Sequence, residues 1–363
     1  MSVNASTPAG EIWVAPHGLR CPCKDVSMRA VVISAPGVVS VEQVPDPTPK
    51  PGEAIIEVAA CGICGTDLHV LQGEFAPKLP VIPGHEFAGP VVAIGDGVTQ
   101  VKIGDRVGVD PSLYCGECFY CKRANDNQCE NWGGLGVSTT GAAAEYVAVP
   151  AANCWHVPDS IEDLRNAALI EPLSCALHGY DVLKRRPGAN YLIYGAGTMG
   201  LMMAELARKM GAASVSIVDV NTSKLEAAQY LGFEHAATSA DNFDHPRGWD
   251  VVIDCTGVPK VIEEGIRRVM PAGEFLVFGV AGMDDKVEID PYWIFKKEIT
   301  IKGSMAVLHS YDRAGELFAS GVLDADFLIS HRLPLEAFPS ALEQLRAGIG
   351  RKIQVVPHME VSG

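Results

Sequence analysis

The fold of this chain is decided by the stretch YLIYGAGTMG, which runs from Tyr191 to Gly200. An apolar run comes first, and glycines then follow at the spacing G-x-G-x-x-G. Leu201–Met210 continues with the composition of a helix, and Ser214–Val218 with that of a second strand. The pattern therefore predicts a strand, a tight turn and a helix that leads into another strand.

The glycine turn is typical of a dinucleotide-binding site. Gly195 permits the tight turn, Gly197 lets the backbone approach a pyrophosphate, and Gly200 lets the helix and strand pack closely. Free N–H groups at the start of the helix, where Thr198 and Met199 lie, would face the phosphates. A plain glycine turn in an α/β unit is the alternative, and the flanking strand and helix favour the nucleotide site.

Asp219 ends the second strand, 19 residues after the last glycine of the turn. An acid in this position can accept hydrogen bonds from the ribose hydroxyls of the adenosine. Its negative charge repels a 2′-phosphate. The sequence therefore predicts NAD rather than NADP as the cofactor.

The rest of the chain divides into regions of different pattern. Strands and helices alternate up to about residue 310, which predicts an α/β unit with a doubly wound parallel sheet over residues 179–310. Residues 28–178 contain short apolar strands separated by glycines, which predicts a β-barrel-like domain. Residues 311–363 are expected to return to that domain, and residues 1–27 are expected to form an N-terminal extension.

The bulk composition excludes several classes of protein. Of the 363 residues, 48% are hydrophobic and 20% charged, as in ordinary α/β proteins. The net charge of −15 argues against nucleic acid or an anionic membrane as a partner, and no apolar run could span a bilayer. The eleven cysteines indicate metal binding in a reducing cytoplasm, because a disulfide framework suits small secreted chains.

A second motif brings together groups that bind metals or transfer protons. The segment CGICGTDLH, residues 61–69, contains Cys64, Thr66 and His69, and the segment GHE adds His85 and Glu86. Thiolate, imidazole and carboxylate all bind Zn²⁺ directly. Thr66 and His69 could pass a proton from such a site to water. An ordinary surface or core histidine is the alternative for His69.

Four cysteines follow at a spacing typical of a closed zinc site. Cys115, Cys118 and Cys121 are separated by two residues each, and Cys129 follows after seven more. Four thiolates complete a tetrahedron around one Zn²⁺ and leave no position for water, so such a site is structural. Free or disulfide-bonded cysteines, or an iron–sulfur cluster, are the alternatives.

Glu171 lies in the segment AALIEPLSCALH, residues 167–178, which reads as an apolar helix. A buried acid needs a partner. Glu171 could cap or kink the helix beside Pro172, or it could bind zinc or zinc-bound water. The residues alone leave these alternatives open.

In this order, the motifs resemble those of the zinc-dependent medium-chain dehydrogenase/reductase family, and the resemblance covers about residues 28–357. It implies a GroES-like β-barrel catalytic domain and a Rossmann coenzyme domain. It also implies NAD and two Zn²⁺ ions as cofactors, one ion catalytic and one structural. Relatives are often tetramers or dimers, so a homo-oligomer is expected.

The resemblance also implies roles for single residues. Cys64 and His85 match the first two catalytic zinc ligands, and Glu86 matches an acid that is a direct ligand in some members. Glu171 matches the third protein position. The remaining matches are Thr66 and His69 with the proton relay, Lys224 with a lysine beside the adenosine ribose, and Cys115, Cys118, Cys121 and Cys129 with the structural zinc lobe.

Within the family, the sorbitol, polyol and butanediol branch has Glu at the position of Glu171. In this respect the chain resembles that branch. Sorbitol dehydrogenases carry an aromatic residue where this chain has Val70, and a Phe-Arg pair where it has Ser304-Met305. The expected activity is oxidation of a secondary alcohol, namely a polyol, sugar alcohol, diol or cyclitol, to a ketone. Alternatives are a threonine dehydrogenase-like or sugar (aldose) dehydrogenase, a zinc-free quinone or enone reductase, and an NAD-responsive binding protein.

Overall fold

The computed structural model describes residues 27–75, 77–184 and 187–359. Most of the expected N-terminal extension, residues 1–26, lies outside the described residues. The strands are β1 (Ser27–Ala35), β2 (Val38–Pro45), β3 (Glu53–Glu57), β4 (Ala60–Gly62), β5 (Glu86–Ile94), β6 (Arg106–Val109), β7 (Ser112–Leu113), β8 (Gly133–Gly134), β9 (Tyr146–Pro150), β10 (Cys154–His156), β11 (Asn190–Tyr194), β12 (Ser214–Val218), β13 (Ala236–Ala237), β14 (Trp249–Asp254), β15 (Val269–Val277), β16 (Thr300–Gly303), β17 (Ile329–Pro334) and β18 (Lys352–Val356).

The helices connect and cover these strands. They are α1 (Gly65–Leu71), α2 (Ile170–Val182), α3 (Thr198–Lys209), α4 (Thr222–Tyr230), α5 (Pro259–Arg268), α6 (Pro291–Lys297), α7 (Tyr311–Ala319), α8 (Ala325–Leu328) and α9 (Phe338–Arg346). Short 3-10 helices include Cys121–Arg123 and Asp126–Gln128. No helix among the described residues is long and apolar enough to cross a membrane.

The glycine turn belongs to a six-stranded parallel sheet. Its order is β13-β12-β11-β14-β15-β16, and every neighbouring pair is parallel. The chain starts in the middle with β11, moves outward to β13, and then returns to build the other half from β14. Ligands of such sheets bind outside the carboxyl ends of the strands, where the order reverses. This point lies between β11 and β14.

The other large sheet is made mostly of antiparallel strands from the first part of the chain. It has eight strands, in the order β10-β6-β5-β4-β18-β17, and β3 joins β5 to β9. The C-terminal strand β18 pairs with β4, so the end of the chain returns to this sheet. The fold class predicted from the sequence, a GroES-like β-rich domain with a doubly wound Rossmann domain, is confirmed.

Helix α2 joins the two parts of the molecule. Its apolar side chains, such as Leu173 and Tyr180, are fully buried in one core that also contains Leu201 of α3 and Phe318 of α7. Because α2 packs against both the six-stranded parallel sheet and the β-rich domain, a side chain at its start is held between the two domains.

Candidate metal and coenzyme sites

Three of the predicted metal-binding side chains converge in the β-rich domain. One ligand atom each from Cys64, His85 and Glu86 lies within 4.8 Å of the other two. Cys64 precedes α1, while His85 and Glu86 stand at the start of β5. The pairing of β4 with β5 brings Gly62 opposite Glu86, which is why residues more than twenty positions apart meet here. Thiolate, imidazole and carboxylate at this spacing can hold one Zn²⁺.

Asp67 contacts residues of the Cys64, His85 and Glu86 group. Its buried carboxylate accepts hydrogen bonds from the backbone N–H of Cys64 at 2.9 Å and of Gly84 at 3.3 Å. His85 Nδ1 lies 3.8 Å from Asp67 Oδ1 and has no hydrogen-bond partner among the described residues. Burial lowers the pKa of His85, but Cys64, Asp67 and Glu171 outweigh it and raise that pKa well above its ordinary value. The pocket therefore favours a positive charge.

Lys352 completes the site, although no motif of the sequence predicts its presence there. Its ammonium group lies 2.7 and 2.6 Å from the two carboxylate oxygens of Glu86 and 3.2 Å from the carbonyl oxygen of Ile63. Lys352 and Glu86 are both buried. Burial lowers the pKa of Lys352, but Glu86, together with Cys64 and Glu171, outweighs this effect and raises that pKa above its ordinary value. Lys352 is 266 residues from Glu86, so only the pairing of β18 with β4 could reveal the contact.

Glu171 lies beside the group but not within it. The set of ligand atoms within 4.8 Å contains Cys64, His85 and Glu86 and leaves Glu171 out. Burial, together with the charge of Glu86, raises the pKa of Glu171 to about 7. The thiol of Cys175, one helical turn later, lies 3.5 Å from Glu171 Oε1. Glu171 is therefore a buried acid that faces the metal-binding group from α2.

The predicted proton-transfer residues lie on one face of α1. Thr66 and His69 are three positions apart, a spacing that places side chains next to each other on a helix. Thr66 Oγ1 lies 3.6 Å from Cys64 Sγ. His69 Nδ1 lies 2.5 Å from Glu74 Oε2, and the His69 side chain is 20% exposed. The half-buried Cys64 sulfur contacts Thr66, and His69 lies one helical turn further along, in contact with Glu74, which the sequence analysis did not predict.

The four cysteines of the lobe also converge. Their sulfur atoms lie within 4.8 Å of one another, with Cys118–Cys121 and Cys115–Cys129 at 3.5 Å and Cys118–Cys129 at 3.9 Å. A tetrahedron with metal–sulfur bonds of about 2.3 Å has edges of about 3.8 Å. All four cysteines are free, since these distances are far longer than a disulfide bond of about 2.05 Å. The backbone N–H groups of Cys121 and Glu130 lower the pKa of Cys118 to about 6.

The glycine turn has the geometry that its sequence predicts. Gly195 has φ of +99°, which favours glycine. A Cβ on Gly200 would lie 1.7 Å from the carbonyl oxygen of Gly195, so only glycine fits where α3 passes the turn. A Cβ on Gly197 would meet no described atom within 4 Å, so its surroundings are open. Thr198 and Met199 form the first turn of α3.

Asp219 lies beside this turn. Its Oδ2 accepts a hydrogen bond from the N–H of Ala196 at 2.8 Å, and its Oδ1 accepts one from the N–H of Asn221 at 2.8 Å. Lys224 follows in α4, where its ammonium group would lie 3.6 Å from a Cβ on Gly348. Asp219 therefore lies at the glycine turn, while Lys224 lies close to Gly348, in the segment that leads into β18.

Two families match this chain, one for each domain. The alcohol dehydrogenase GroES-like domain matches residues 50–159, and the zinc-binding dehydrogenase domain matches residues 198–320. The glycine turn, the Cys-His-Glu group and the four-cysteine lobe agree with this match. The chain belongs to the zinc-dependent medium-chain dehydrogenase/reductase family.

Similar proteins place the chain more narrowly within that family. D-arabinitol dehydrogenase 1 of Uromyces fabae is 34% identical over 91% of this chain and 97% of its own length. L-Threonine 3-dehydrogenase of Saccharopolyspora erythraea is 34% identical over 88% of this chain and 96% of its own length. An NADP-bound zinc-binding dehydrogenase structure from Sinorhizobium meliloti 1021 superposes with a TM-score of 0.87 at 35% identity, covering 92% of this chain and 100% of that one. The resemblance to the polyol branch is confirmed.

Proposed function

We propose that this protein oxidises a secondary alcohol of a polyol, sugar alcohol, diol or cyclitol to a ketone and passes the hydride to NAD. The observation that carries this proposal is the convergence of Cys64, His85 and Glu86 within 4.8 Å, beside the buried acid Glu171. The position of Glu171 at the start of α2, between the two domains, supports an alcohol that meets both the metal and the coenzyme.

Cys64, His85 and Glu86 are the proposed protein ligands of the catalytic Zn²⁺. The mixed sulfur, nitrogen and oxygen donors, which lie within 4.8 Å of one another, fit this ion. Zinc, when bound, supplies a Lewis acid that makes an alcohol more acidic. Glu171, which lies outside the three-residue group, is proposed to accept a hydrogen bond from the substrate or from water.

The chain's own residues are proposed to move the proton. Thr66, 3.6 Å from Cys64 Sγ, is proposed to accept the alcohol proton while its own hydroxyl proton moves on towards His69, which releases a proton to solvent. Glu74 holds the His69 ring through its contact with Nδ1 and so orients the other ring nitrogen. The hydride chemistry belongs to the nicotinamide, which the protein only has to position.

The coenzyme is proposed to lie across the glycine turn, with its pyrophosphate at the N-terminus of α3. Gly195, Gly197 and Gly200 let the backbone approach the phosphates, and the N–H groups of Thr198 and Met199 face them. Asp219 is proposed to bind the adenosine ribose, with Lys224 beside it. The four cysteines of the lobe are proposed to hold the structural Zn²⁺.

A direct experiment combines metal analysis with a substrate screen. We expect two zinc ions per chain and NADH formation with at least one polyol, diol, sugar alcohol or cyclitol, tested beside L-threonine and aldoses. Cys64→Ser should retain one zinc and bind NAD normally while turnover falls to background. Full turnover in the zinc-depleted Cys64→Ser variant would contradict the proposal, and oxidation of L-threonine alone would favour the alternative dehydrogenase.

Two further features of the molecule concern its oligomeric state and its cellular compartment. The edge strand β16 has no partner on its outer side among the described residues, and the segment that precedes it in the chain exposes apolar side chains, including Met283, Tyr292 and Phe295. Exposed edges and patches of this kind favour association, so we expect a homo-oligomer that pairs through this edge. Phe295→Glu should reduce the mass measured by light scattering.

The free cysteines support a reducing compartment such as the cytoplasm.

A further inference from the structure

A short 3-10 helix of the four-cysteine lobe contacts a segment that is distant in the chain. This helix, Asp126–Gln128, lies directly before Cys129. Asn127 Nδ2 donates a hydrogen bond to the carbonyl oxygen of Met305 at 2.9 Å, and Asn127 is 8% exposed. Gln128 Nε2 lies 3.7 Å from Met305 Sδ. The side chains of Asn127 and Gln128 therefore contact the backbone and the side chain of Met305, which lies almost 180 positions later in the chain.

Met305 belongs to the crossover segment, Ser304–Ser310, which connects β16 to α7. Two of its residues, Ala306 with φ of +54° and His309 with φ of +49°, adopt the left-handed backbone conformation without being glycine. That conformation is unfavourable for residues with a side chain, so surrounding contacts have to hold it. Asp126 provides one such contact, with Oδ2 at 2.8 Å from His309 Nε2.

The crossover segment forms one wall of a cavity of about 490 Å³. Asn127 and His178 line it from the lobe and from α2, while Phe278 and Met305 line it from the carboxyl ends of β15 and β16. Ligands of parallel sheets bind at these strand ends. Asn127 Nδ2 also lies 3.4 Å from His178 Nε2, so the lobe, α2 and the crossover segment meet at this one amide.

We propose that Asn127 is a positioning residue that couples the metal-loaded lobe to the crossover segment and thereby sets the affinity for the coenzyme. The coenzyme part rests on the proposed function, whereas the position of Met305 does not. When the four thiolates bind one metal ion, the folded lobe fixes the position of Asn127. The hydrogen bond from Asn127 in turn fixes the position of Met305. When the lobe opens, the crossover segment loses the contacts that fix its left-handed residues.

The first experiment compares Asn127→Ala with Asn131→Ala in the zinc-loaded protein. Asn131 is the matched control, because it is an exposed asparagine of the same lobe. Proteins labelled with [¹³C-methyl]methionine report on the Met305 methyl resonance, which the spectrum of Met305→Leu assigns. We expect Asn127→Ala to move that resonance towards the position of an unstructured methionine, while zinc content stays at two per chain and Asn131→Ala matches the wild type.

Coenzyme kinetics give the functional measurement. Loss of one buried hydrogen bond should raise KM for NAD by about 10-fold and leave kcat within about 2-fold. Asn127→Asp keeps the size of the side chain but replaces the donor, so it should reproduce the effect of Asn127→Ala. An unchanged Met305 resonance in both variants, or an unchanged KM, would overturn the proposal.

A double-variant cycle tests the coupling to the lobe. Cys129→Ser weakens the lobe site and should shift the Met305 resonance by itself. If Asn127 carries the coupling, adding Asn127→Ala to Cys129→Ser should change the resonance and KM no further. Additive effects would mean that another route connects the two regions and would refute the proposal. A wild-type protein without NAD turnover would defeat the proposed function, while the Met305 resonance would still decide the role of Asn127.

Discussion

The ammonium group of Lys352 lies 2.7 and 2.6 Å from the two carboxylate oxygens of Glu86, and both residues are buried. Taking two opposite charges out of water is costly, and their mutual attraction offsets the cost only while both are present. This pair fixes a carboxylate at the edge of the proposed zinc site. It also joins the last strand of the chain to the first metal-binding motif.

Replacing Lys352 by Met should therefore be strongly destabilising. In the zinc-free protein the substitution leaves the Glu86 carboxylate buried without its partner, so we expect the free energy of unfolding to fall by about 3–5 kcal/mol. Urea unfolding would measure the change. Lys102→Met is the control, because Lys102 is 85% exposed and its contact with Asp105 is 4.0 Å long, so it should change stability by less than about 1 kcal/mol. Equal losses in the two variants would contradict the buried-pair argument.

Two glycines of the turn should respond differently to alanine. The added Cβ in Gly200→Ala would collide with the carbonyl oxygen of Gly195, so stability should fall by about 1–3 kcal/mol. Gly197→Ala meets no described atom, so it should unfold like the wild type but bind NAD more weakly, because the methyl group enters the space for the pyrophosphate. Thermal unfolding and NAD titration separate the two effects. Normal NAD binding by Gly197→Ala would place the coenzyme elsewhere.

Asp219→Ala should alter the preference between coenzymes. Loss of the acceptor for the ribose hydroxyls should lower kcat/KM for NAD by about 10-fold or more, whereas NADP should lose less because a repulsive charge is removed. The ratio of kcat/KM for the two coenzymes gives the measurement. Because Asp219 also accepts hydrogen bonds from the backbone N–H groups of Ala196 in the turn and of Asn221, Asp219→Asn serves as a control that keeps one acceptor oxygen. A ratio that stays constant would exclude Asp219 as the discriminating residue.

His69→Gln should slow proton release. Residues that transfer protons typically contribute 10²–10⁴-fold, so we expect kcat to fall by about 100-fold. Imidazole added to the buffer should restore part of the rate, because His69 is partly exposed and a small base can reach its place. Steady-state rates over a series of imidazole concentrations test this. A variant with full activity and no response to imidazole would show that the proton leaves by another path.

The sequence predicted the family, and it brought out the glycine turn and both groups of candidate metal-binding residues, because these motifs are local. The glycine spacing, the two-residue gaps between cysteines and the His-Glu pair each act within a few residues of one another. Motifs of this kind can be recognised in the sequence without knowledge of the fold. The contacts at the edges of the sites are different, since they connect strands and segments that are distant in the chain.

By itself, the sequence determined which side chains could bind metal and coenzyme, and the alternation of strands and helices that carries them. Only the tertiary structure decided that Lys352 neutralises Glu86, that Glu171 lies beside the three-residue group rather than within it, and that Asn127 reaches Met305. The physical reason is that strand pairing and domain packing set these distances. No residue spacing in the sequence encodes how β18 lies against β4 or how the lobe lies against the crossover segment.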